Sequence, residues 1–479
     1  MLAGFCVLKM KTYQVSSISR KLLADTYTPV SVYSRMREHF PVTFLLESSD
    51  YRAIENSLSF ICAEPIASIE VTNDALRLLI NKQPAYTREL KKMKSVADEI
   101  DTLLASFSVK EKLSDVPYNG FFGYTNYDAV KLFDSLDFKS PNELPGDVPL
   151  LQYHLFRYVL VFNHFTDQLF LYENTLTEEP SGLDFIEGLL KNKNFRPYPF
   201  TIEKHETSNL TGEAFIKNIL KAKEHCQRGD VFQMVLSKRF SQPFKGDDFN
   251  VYRALRSINP SPYLFYFDFG NFRIFGSSPE AQLIIQNKKA YINPIAGTFK
   301  RTGDDEQDKL LAEKLLSDPK ENAEHVMLVD LARNDLSVHC RNVKLEKYRE
   351  IQFYSHVIHL VSTVSGEMIE PEKPFRIFSS TFPAGTLSGA PKFKAMQLID
   401  RYEQTARGWY GGALGIIGIN GSMNQAIMIR SFFSKDSVLY YQAGAGVVID
   451  SVPESELQEV KNKLGALKKA IAEATTIKP

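Results

Sequence analysis

Apolar and polar positions divide the chain into a strand-rich first part and a second part in which helices and strands alternate. Apolar and β-branched residues dominate positions 60–71 and 152–171, and a turn at 164–168 splits the second run into two predicted strands. Residues 196–211 contain two prolines and show no apolar period, so a linker or crossover is expected there. This change of pattern predicts a boundary near the middle of the chain.

Three helices of the second part have clear predicted boundaries. Thr211 is a suitable N-cap for a helix that ends at Gly229, and a strand is predicted directly after it. Asp318, followed by proline, opens a helix that should run to about residue 333. The last helix is expected from Pro453 to about residue 474, with a buried stripe formed by Leu457, Val460, Leu464, Leu467 and Ile471. The irregular alternation of strands and long helices favours an α+β fold.

Composition and charge exclude several classes of protein. The 57 lysine and arginine residues balance 57 aspartate and glutamate residues, so no broad basic field is available for a nucleic acid. No apolar run approaches the roughly 18–20 residues of a membrane span, and the N-terminus lacks a signal-peptide pattern. The four cysteines are widely spaced without a CxxC pair, which is typical of free thiols. We therefore expect a cytoplasmic globular protein.

Carboxylates on two predicted helices are candidates for a metal site. Glu456 and Glu459 lie three residues apart in the first turns of the last helix, although acids there also offset the helix dipole. Glu324 shares a helical stripe with Leu328 and Leu331, although it could equally lie on a solvated face. If these acids converge, they form a hard-oxygen site for which Mg²⁺ is the default ion.

Glycine-rich turns and a few isolated side chains are candidates for anion binding and proton transfer. The turns PIAGT, AGTLSGAPK and AGAGV could bind carboxylates through backbone N–H groups, although most glycines simply mark turns. Arg430 follows an apolar strand and is either a carboxylate clamp or a surface charge. Glu280 could act as a general acid if partly buried, and His359, flanked by apolar residues, is either a functional histidine or a core histidine.

In combination, these segments resemble the family of chorismate-utilising enzymes and, within it, anthranilate synthase component I. The resemblance covers most of the chain and implies an α+β fold of two large, mainly antiparallel β-sheets packed together, with helices outside. It also implies a regulatory, tryptophan-binding region over 1–195, a linker over 196–211 and a chorismate-binding catalytic domain over 212–479. The matching motifs are LLES (45–48), NPSPY (259–263), GSSPE (276–280), PIAGT (294–298), AEHVMLVDLARND (323–335), HLVS (359–362), FPAGTLSGAPK (382–392), YGGALG (410–415) and QAGAGVVIDSVPESE (442–456).

The resemblance implies roles for individual residues. Mg²⁺ ligands are expected at Glu324 and Glu459, with Glu456 nearby. Glu280 matches the general acid for the leaving C4 hydroxyl, and His359 and Thr386 match residues that line the ring. Chorismate contacts are expected from Gly297, Thr298, Tyr410, Arg430, Gly444, Ala445, Gly446 and Lys463. The feedback pocket for tryptophan would be lined by Glu47, Ser48, Pro262, Tyr263 and Leu264.

Two positions distinguish this chain from relatives with other products. Gln233 replaces a lysine base of isochorismate and salicylate synthases, and it suits the orientation of ammonia better than the activation of water. Ala296 replaces the lysine nucleophile of many aminodeoxychorismate synthases, so direct addition of ammonia is expected. The resemblance thus implies conversion of chorismate and ammonia to anthranilate and pyruvate, inhibited by tryptophan.

The ammonia source is expected on another chain. No Cys-His-Glu glutaminase signature is found in the sequence, so a separate glutamine amidotransferase subunit is predicted, in a heterotetramer. Two alternatives stay open. The chain could be component I of an aminodeoxychorismate synthase, or a tryptophan-sensing subunit that has lost catalysis.

Overall fold

The structure is a computed structural model that describes residues 11–48, 57–141, 148–192, 198–353 and 357–477. Helices in these ranges mostly present one apolar side to a sheet. Their bounds are α1 (Pro29–Met36), α2 (Val96–Ala105), α3 (Leu183–Lys191), α4 (Gly212–Gln227), α5 (Phe249–Ile258), α6 (Asp305–Ser317), α7 (Pro319–Ser337), α8 (Pro374–Thr381), α9 (Lys392–Glu403) and α10 (Pro453–Ala474).

The strands are mostly short, with a few that exceed ten residues. They are β1 (Tyr13–Leu23), β2 (Thr43–Glu47), β3 (Leu58–Val71), β4 (Ala75–Ile80), β5 (Gln83–Glu89), β6 (Phe107–Val109), β7 (Phe121–Thr125), β8 (Leu151–Asn163), β9 (Gln168–Thr175), β10 (Phe200–Ile202), β11 (Thr207–Ser208), β12 (Gln233–Gly246), β13 (Tyr263–Asp268), β14 (Arg273–Ser278), β15 (Ala281–Gln286), β16 (Lys289–Ile292), β17 (Ile295–Lys300), β18 (Cys340–Phe353), β19 (Val357–Met368), β20 (Gly389–Ala390), β21 (Ala413–Ile417), β22 (Met423–Ile427), β23 (Ser431–Lys435) and β24 (Val438–Val447).

The strands form two large sheets that share the long strands β3 and β8. The first sheet has the order β1–β9–β8–β3–β2–β13–β14–β23–β24–β12. The second has the order β5–β4–β3–β8–β7–β21–β22–β15–β16–β19–β18. A bulge in β3 between Pro65 and Ala67 marks the point where this strand leaves one sheet for the other. These pairings are antiparallel, and the short β6 pairs in parallel with β1.

The side chains of each strand alternate between two apolar layers. In β13, Phe265 and Phe267 belong to the layer between the two sheets. Leu264 and Tyr266 belong to the layer between the first sheet and helices α1, α3, α4, α5, α9 and α10. Helices α2, α7 and α8 cover the outer face of the second sheet. The predicted α+β fold, with two mainly antiparallel sheets packed together and helices outside, is confirmed.

The predicted helix starts agree closely with the structure, whereas α7 continues four residues beyond its predicted end, to Ser337. Thr211 caps α4 by accepting a hydrogen bond from the Ala214 backbone N–H, and Asp318 accepts one from the N–H of Glu321 in the first turn of α7. Helix α10 spans the predicted residues, and four of its five stripe residues are fully buried while Leu457 is partly so.

The predicted linker contains the short strands β10 and β11, which pair with β12. The strand predicted directly after Gly229 is present, but it begins only at Gln233, and the preceding Phe232 is 72% exposed. The division into regulatory and catalytic regions stays a prediction. Strands from both regions pair directly, β2 with β13 and β7 with β21.

The cysteines and the apolar helices bear on the predicted cellular environment. Cys62, Cys226 and Cys340 are free thiols, and Cys6 lies outside the described residues. Across the described ranges, no helix combines the length and the apolar character that a bilayer crossing requires. The predicted cytoplasmic location stays a prediction.

Candidate active site

Glu280 and Arg430 lie side by side where two further chain segments pass from one sheet to the other. Glu280 separates β14 from β15, and Arg430 separates β22 from β23. The Ile427 N–H donates to the Glu280 carbonyl at 3.0 Å, and the Ser277 N–H donates to the Arg430 carbonyl at 3.1 Å. Arg430 has a φ of 49°, a left-handed conformation that is uncommon for a residue with a Cβ and often occurs at functional sites.

The Glu280 carboxyl is suited to proton exchange near neutral pH. Burial raises its pKa to about 7, because desolvation penalises the charged form. The Thr386 hydroxyl, which donates to Glu280 Oε1 at 3.0 Å, acts in the opposite direction, as do the charges of Arg430 and Lys463. Thr386 lies in a short 3₁₀ turn, Gly385–Leu387, so the position of this turn influences the pKa of Glu280.

The Arg430 guanidinium makes no hydrogen bond or ion pair within the described part of the chain. Burial lowers its pKa, and the neighbouring Glu280 acts against that shift. A guanidinium nevertheless keeps its charge in proteins. Because Glu280 is partly protonated at neutral pH, Arg430 is a half-buried cation without a full counter-charge. Such a group is an anion-binding site with bidentate geometry.

His359 faces the glycine turn of the PIAGT motif from the neighbouring strand. Its Nδ1 lies 3.0 Å from the Gly297 carbonyl oxygen. Because a carbonyl can only accept, Nδ1 carries the proton and Nε2 of the neutral ring is the basic nitrogen. Burial lowers the pKa of His359, so the ring is neutral at neutral pH. Thr298 pairs with His359 in the backbone register, and its side chain lies outside the described residues.

Gly297 fits its position only because it lacks a Cβ. Its φ is 66°, and a Cβ would lie 2.5 Å from Leu315 Cδ1 and 3.1 Å from Glu321 Oε2. Glu321 is three residues before Glu324 on α7, so the two carboxylates are one turn apart. Glu321 was not among the candidate residues selected from the sequence. Its spacing of three residues from Glu324, on the same helix, is the feature that could have identified it.

The paired strands β12 and β24 form one wall of the candidate active site. Gln233 is buried and its Nε2 donates to Glu324 Oε1 at 3.1 Å. A Cβ on Gly446 would lie 2.4 Å from that Nε2, and a Cβ on Gly444 would lie 3.1 Å from the Tyr410 hydroxyl oxygen. Glycine therefore leaves room for these two polar side chains. The methyl group of Ala445 lies in the apolar layer beneath the helices, so this residue presents only its backbone to the wall.

The carboxylates predicted to bind Mg²⁺ border this wall from two helices. Glu459 of α10 is ion-paired with Lys463 at 2.6 Å, and Lys463 also donates to the Gly444 carbonyl at 3.0 Å. Glu456 is 6% exposed. The described residues contain no group of three or more His, Cys, Asp or Glu side chains arranged around one ion position. Mg²⁺ commonly takes only one or two carboxylates and completes its shell with water and substrate oxygens, so Glu324 and Glu459 fit it by donor chemistry.

The residues predicted for the tryptophan pocket lie near the end of β2 and the start of β13, which pair with each other. Glu47, at the end of β2, pairs with Leu264 of β13. The Glu47 carboxylate is buried and accepts hydrogen bonds from the Tyr252 hydroxyl at 2.7 Å and from the Arg256 guanidinium at 2.8 Å. The side chain of Leu264 lies in the core. Of the other three predicted residues, Ser48 directly follows Glu47 in the sequence, and Pro262 and Tyr263 directly precede Leu264.

A family model described as "chorismate binding enzyme" matches residues 28–469. The chain belongs to this family. Among curated members, it is similar to anthranilate synthase component 1 of Acetivibrio thermocellus, with 38% identity over 98% of this chain and 97% of the relative. The corresponding protein of Aquifex aeolicus (strain VF5) shares 38% identity over 96% and 95% of the two chains.

A solved structure gives the same picture in three dimensions. The crystal structure of anthranilate synthase component I from Streptococcus pneumoniae TIGR4 superposes with a TM-score of 0.75 at 31% identity, covering 93% of this chain and 99% of that one. The recognition based on motifs is therefore confirmed, as is the prediction of a lyase of the anthranilate synthase type within the chorismate-binding family. The individual residue roles stay predictions.

Proposed function

We propose that the chain is the large subunit of an anthranilate synthase, which converts chorismate and ammonia to anthranilate, pyruvate and water. The supporting observation is the pair formed by Arg430, an anion-binding cation without a full counter-charge, and Glu280, a carboxyl that holds a proton near neutral pH. A doubly negative substrate with a hydroxyl leaving group requires both functions in one place.

Chorismate binding is assigned to the groups around that pair. Arg430 would hold one carboxylate of the dianion through two parallel hydrogen bonds. Tyr410 and the backbone of the β24 glycines would contact the remaining polar atoms, since these groups line the same wall. Lys463, already near the Gly444 carbonyl, supplies a second cation. These local positive charges would allow a chain of zero net charge to bind a dianion.

The chemistry follows from the protonation states of three side chains. Glu280 donates its proton to the C4 hydroxyl, which leaves as water while ammonia adds at C2. The amide oxygen of Gln233 orients ammonia, because the amide nitrogen is engaged with Glu324. In the later step, His359, basic at Nε2, accepts the proton from C2 as the C3–O bond breaks and the ring becomes aromatic. The released enolpyruvyl group takes up a proton at its methylene carbon to give pyruvate. Ala296 is buried and offers no competing nucleophile.

Magnesium is assigned to Glu324 and Glu459, with Glu456 nearby. When bound, the ion would draw electrons from the ring carboxylate and offset its charge. Gln233 would link the metal site to the ammonia position, because its amide nitrogen donates to Glu324 while its amide oxygen is assigned to ammonia. The Lys463 ammonium balances Glu459 when no cation is present.

Ammonia and feedback control complete the proposal. The name component 1, carried by the relatives, refers to one part of a larger enzyme. We assign the ammonia supply to a glutamine amidotransferase subunit, in a heterotetramer. Tryptophan would inhibit by binding near the ends of β2 and β13, where Glu47, Ser48, Pro262, Tyr263 and Leu264 lie.

The decisive experiment supplies the purified chain with chorismate, Mg²⁺ and ammonium at high pH, where free ammonia is available, and records anthranilate fluorescence. Arg430→Met should lower kcat/KM at least about 30-fold, the effect of losing a charged partner of a bound anion. Arg228→Met is the matched control, because Arg228 is an exposed residue directly after α4 that pairs with Glu224.

The products distinguish the alternatives. A para-amino product, detected by chromatography, would indicate an aminodeoxychorismate synthase. Tryptophan binding without any turnover would indicate a sensing subunit. Equal activity of the Arg430 and Arg228 variants would contradict the assignment of the anion site.

A further inference from the structure

Arg407 is a buried arginine, only 2% exposed, whose guanidinium joins three separate parts of the active site. Its Nη1 donates to the Leu387 carbonyl at 2.5 Å, and its Nη2 donates to the Val235 carbonyl at 2.7 Å. Its Nε and Nη2 donate to the two oxygens of Glu403 at 2.8 and 2.6 Å. Four of the five guanidinium donors are thereby engaged.

Glu403 fixes this guanidinium to the wall formed by β12 and β24. Its Oε1 accepts hydrogen bonds from the backbone N–H and the hydroxyl of Ser237, both at 2.8 Å. Ser237 lies opposite Gly444 in the register of the two strands. The ion pair thus has a defined position relative to Gly444, the glycine that faces Tyr410.

Both carbonyl groups bound by Arg407 are close in sequence to residues assigned to the reaction. Leu387 follows Thr386, the donor to Glu280. Val235 is two residues from Gln233 on the same strand face. Arg407 itself precedes Tyr410 by three residues, and its guanidinium lies 5.6 Å from the centre of the Tyr410 ring.

We propose that Arg407, held by Glu403, is a positioning residue that keeps Thr386, Gln233 and Tyr410 in a fixed mutual arrangement for the reaction. The inference rests on the proposed function. It assigns Arg407 no contact with substrate, since the donors identified above all face protein groups. Its effect on turnover is exerted through the three residues that it aligns.

Arginine is required here for a geometric reason. A lysine has three donors on one nitrogen and cannot reach two carbonyls and both oxygens of a carboxylate together. Stability alone is a weak explanation for the pair, because a buried ion pair often contributes no more than a well-packed apolar pair. Misplacement of reacting groups by about 1 Å, in contrast, can reduce turnover about 100-fold.

The test compares Arg407→Lys with Arg157→Lys in the full-length chain, using ammonium as the nitrogen source. Arg157 is a matched control, because it also pairs with a buried carboxylate, Glu173, in a part of the structure away from the site. We expect Arg407→Lys to lower kcat about 10- to 100-fold with a smaller change in KM, since Arg430 is not held by Arg407. Arg157→Lys should leave both parameters within about twofold of wild type.

The pH profile provides a readout that a purely structural role would not move. Loss of the Leu387 contact loosens the turn that carries Thr386, whose hydrogen bond lowers the pKa of Glu280. The basic limb of kcat/KM should therefore shift to higher pH in Arg407→Lys, in the same direction as in Thr386→Val. The cations that face Glu280, Arg430 and Lys463, are unchanged in both variants.

The outcomes separate this inference from the proposed function. If wild type forms no anthranilate, the proposed function fails. If wild type is active and Arg407→Lys matches Arg157→Lys in kcat and pH profile, Arg407 has only a structural role. If Arg407→Lys does not fold, Glu403→Gln replaces it, since this variant keeps the side-chain shape but weakens the hold on Arg407. An unaltered profile in folded Glu403→Gln would then overturn the inference.

Discussion

Replacement of Glu280 by glutamine should stabilise the protein at alkaline pH while it removes the general acid. The pKa of this carboxyl is about 7 in the folded chain, against an ordinary value of 4.5. Between these values the folded chain keeps a proton that the unfolded chain has released, so the free energy of unfolding decreases as the pH rises. At about 1.4 kcal/mol for each pH unit, the full loss above pH 7 is about 3 kcal/mol.

Partial solvent access to Glu280 reduces the expected gain to roughly half of that figure. Glu280→Gln should then melt about 1–3 °C above wild type at pH 8 and level with it at pH 4.5. Its kcat should decrease about 100- to 10,000-fold, as expected for loss of a general acid.

Differential scanning calorimetry at matched scan rates from pH 4.5 to 8 would measure this effect. Glu224→Gln is the control, because Glu224 is exposed on α4 and should show no pH-dependent difference. If the difference in melting temperature between Glu280→Gln and wild type does not grow with pH, Glu280 does not hold a proton in the folded chain. A normal kcat for the variant would separately refute its role as the acid.

Three further substitutions test other parts of the site. Glu324→Gln should raise the Mg²⁺ concentration needed for half-maximal activity at least about tenfold, and an unchanged titration would remove Glu324 from the metal site. Ser48→Phe should raise the tryptophan concentration that halves the rate with less than about twofold change in kcat, because β13 separates β2 from β14, the strand that leads to Glu280; retained inhibition would argue against this pocket. Ala296→Lys should form a covalent adduct with substrate, visible by mass spectrometry, and absence of the adduct would show that this buried position does not face C2.

Helix ends could be predicted from the sequence because their signals are local. The capping hydroxyl of Thr211 and the carboxylate of Asp318 act within three or four residues of their own position. The apolar stripe of α10 is equally local in origin, since it depends only on helical periodicity. The short strands β10 and β11 were not predicted because their partners lie in β12, 42 to 46 residues away in sequence for β10 and 32 to 34 for β11.

The meeting of Glu280 with Arg430 could not be derived from sequence spacing. The two residues are 150 positions apart, and each alone is compatible with a surface charge. They meet because two antiparallel strand pairs, β14 with β23 and β15 with β22, change sheets at the same level. Motif resemblance selected both residues, but only the fold shows that burial raises the pKa of the carboxyl and that the guanidinium has no hydrogen-bond or ion-pair partner among the described residues.

The Glu403–Arg407 pair shows most clearly how tertiary structure changes the meaning of a sequence pattern. A glutamate four residues before an arginine is typical of an exposed helical ion pair that contributes only about 0.3–0.5 kcal/mol. Here α9 ends at Glu403, the chain turns through a left-handed Gln404, and both charges are buried against β12. Enclosure makes every donor and acceptor of the pair costly to leave unpaired. The need to pair these donors and acceptors therefore also fixes the positions of the segments that carry Thr386, Gln233 and Tyr410.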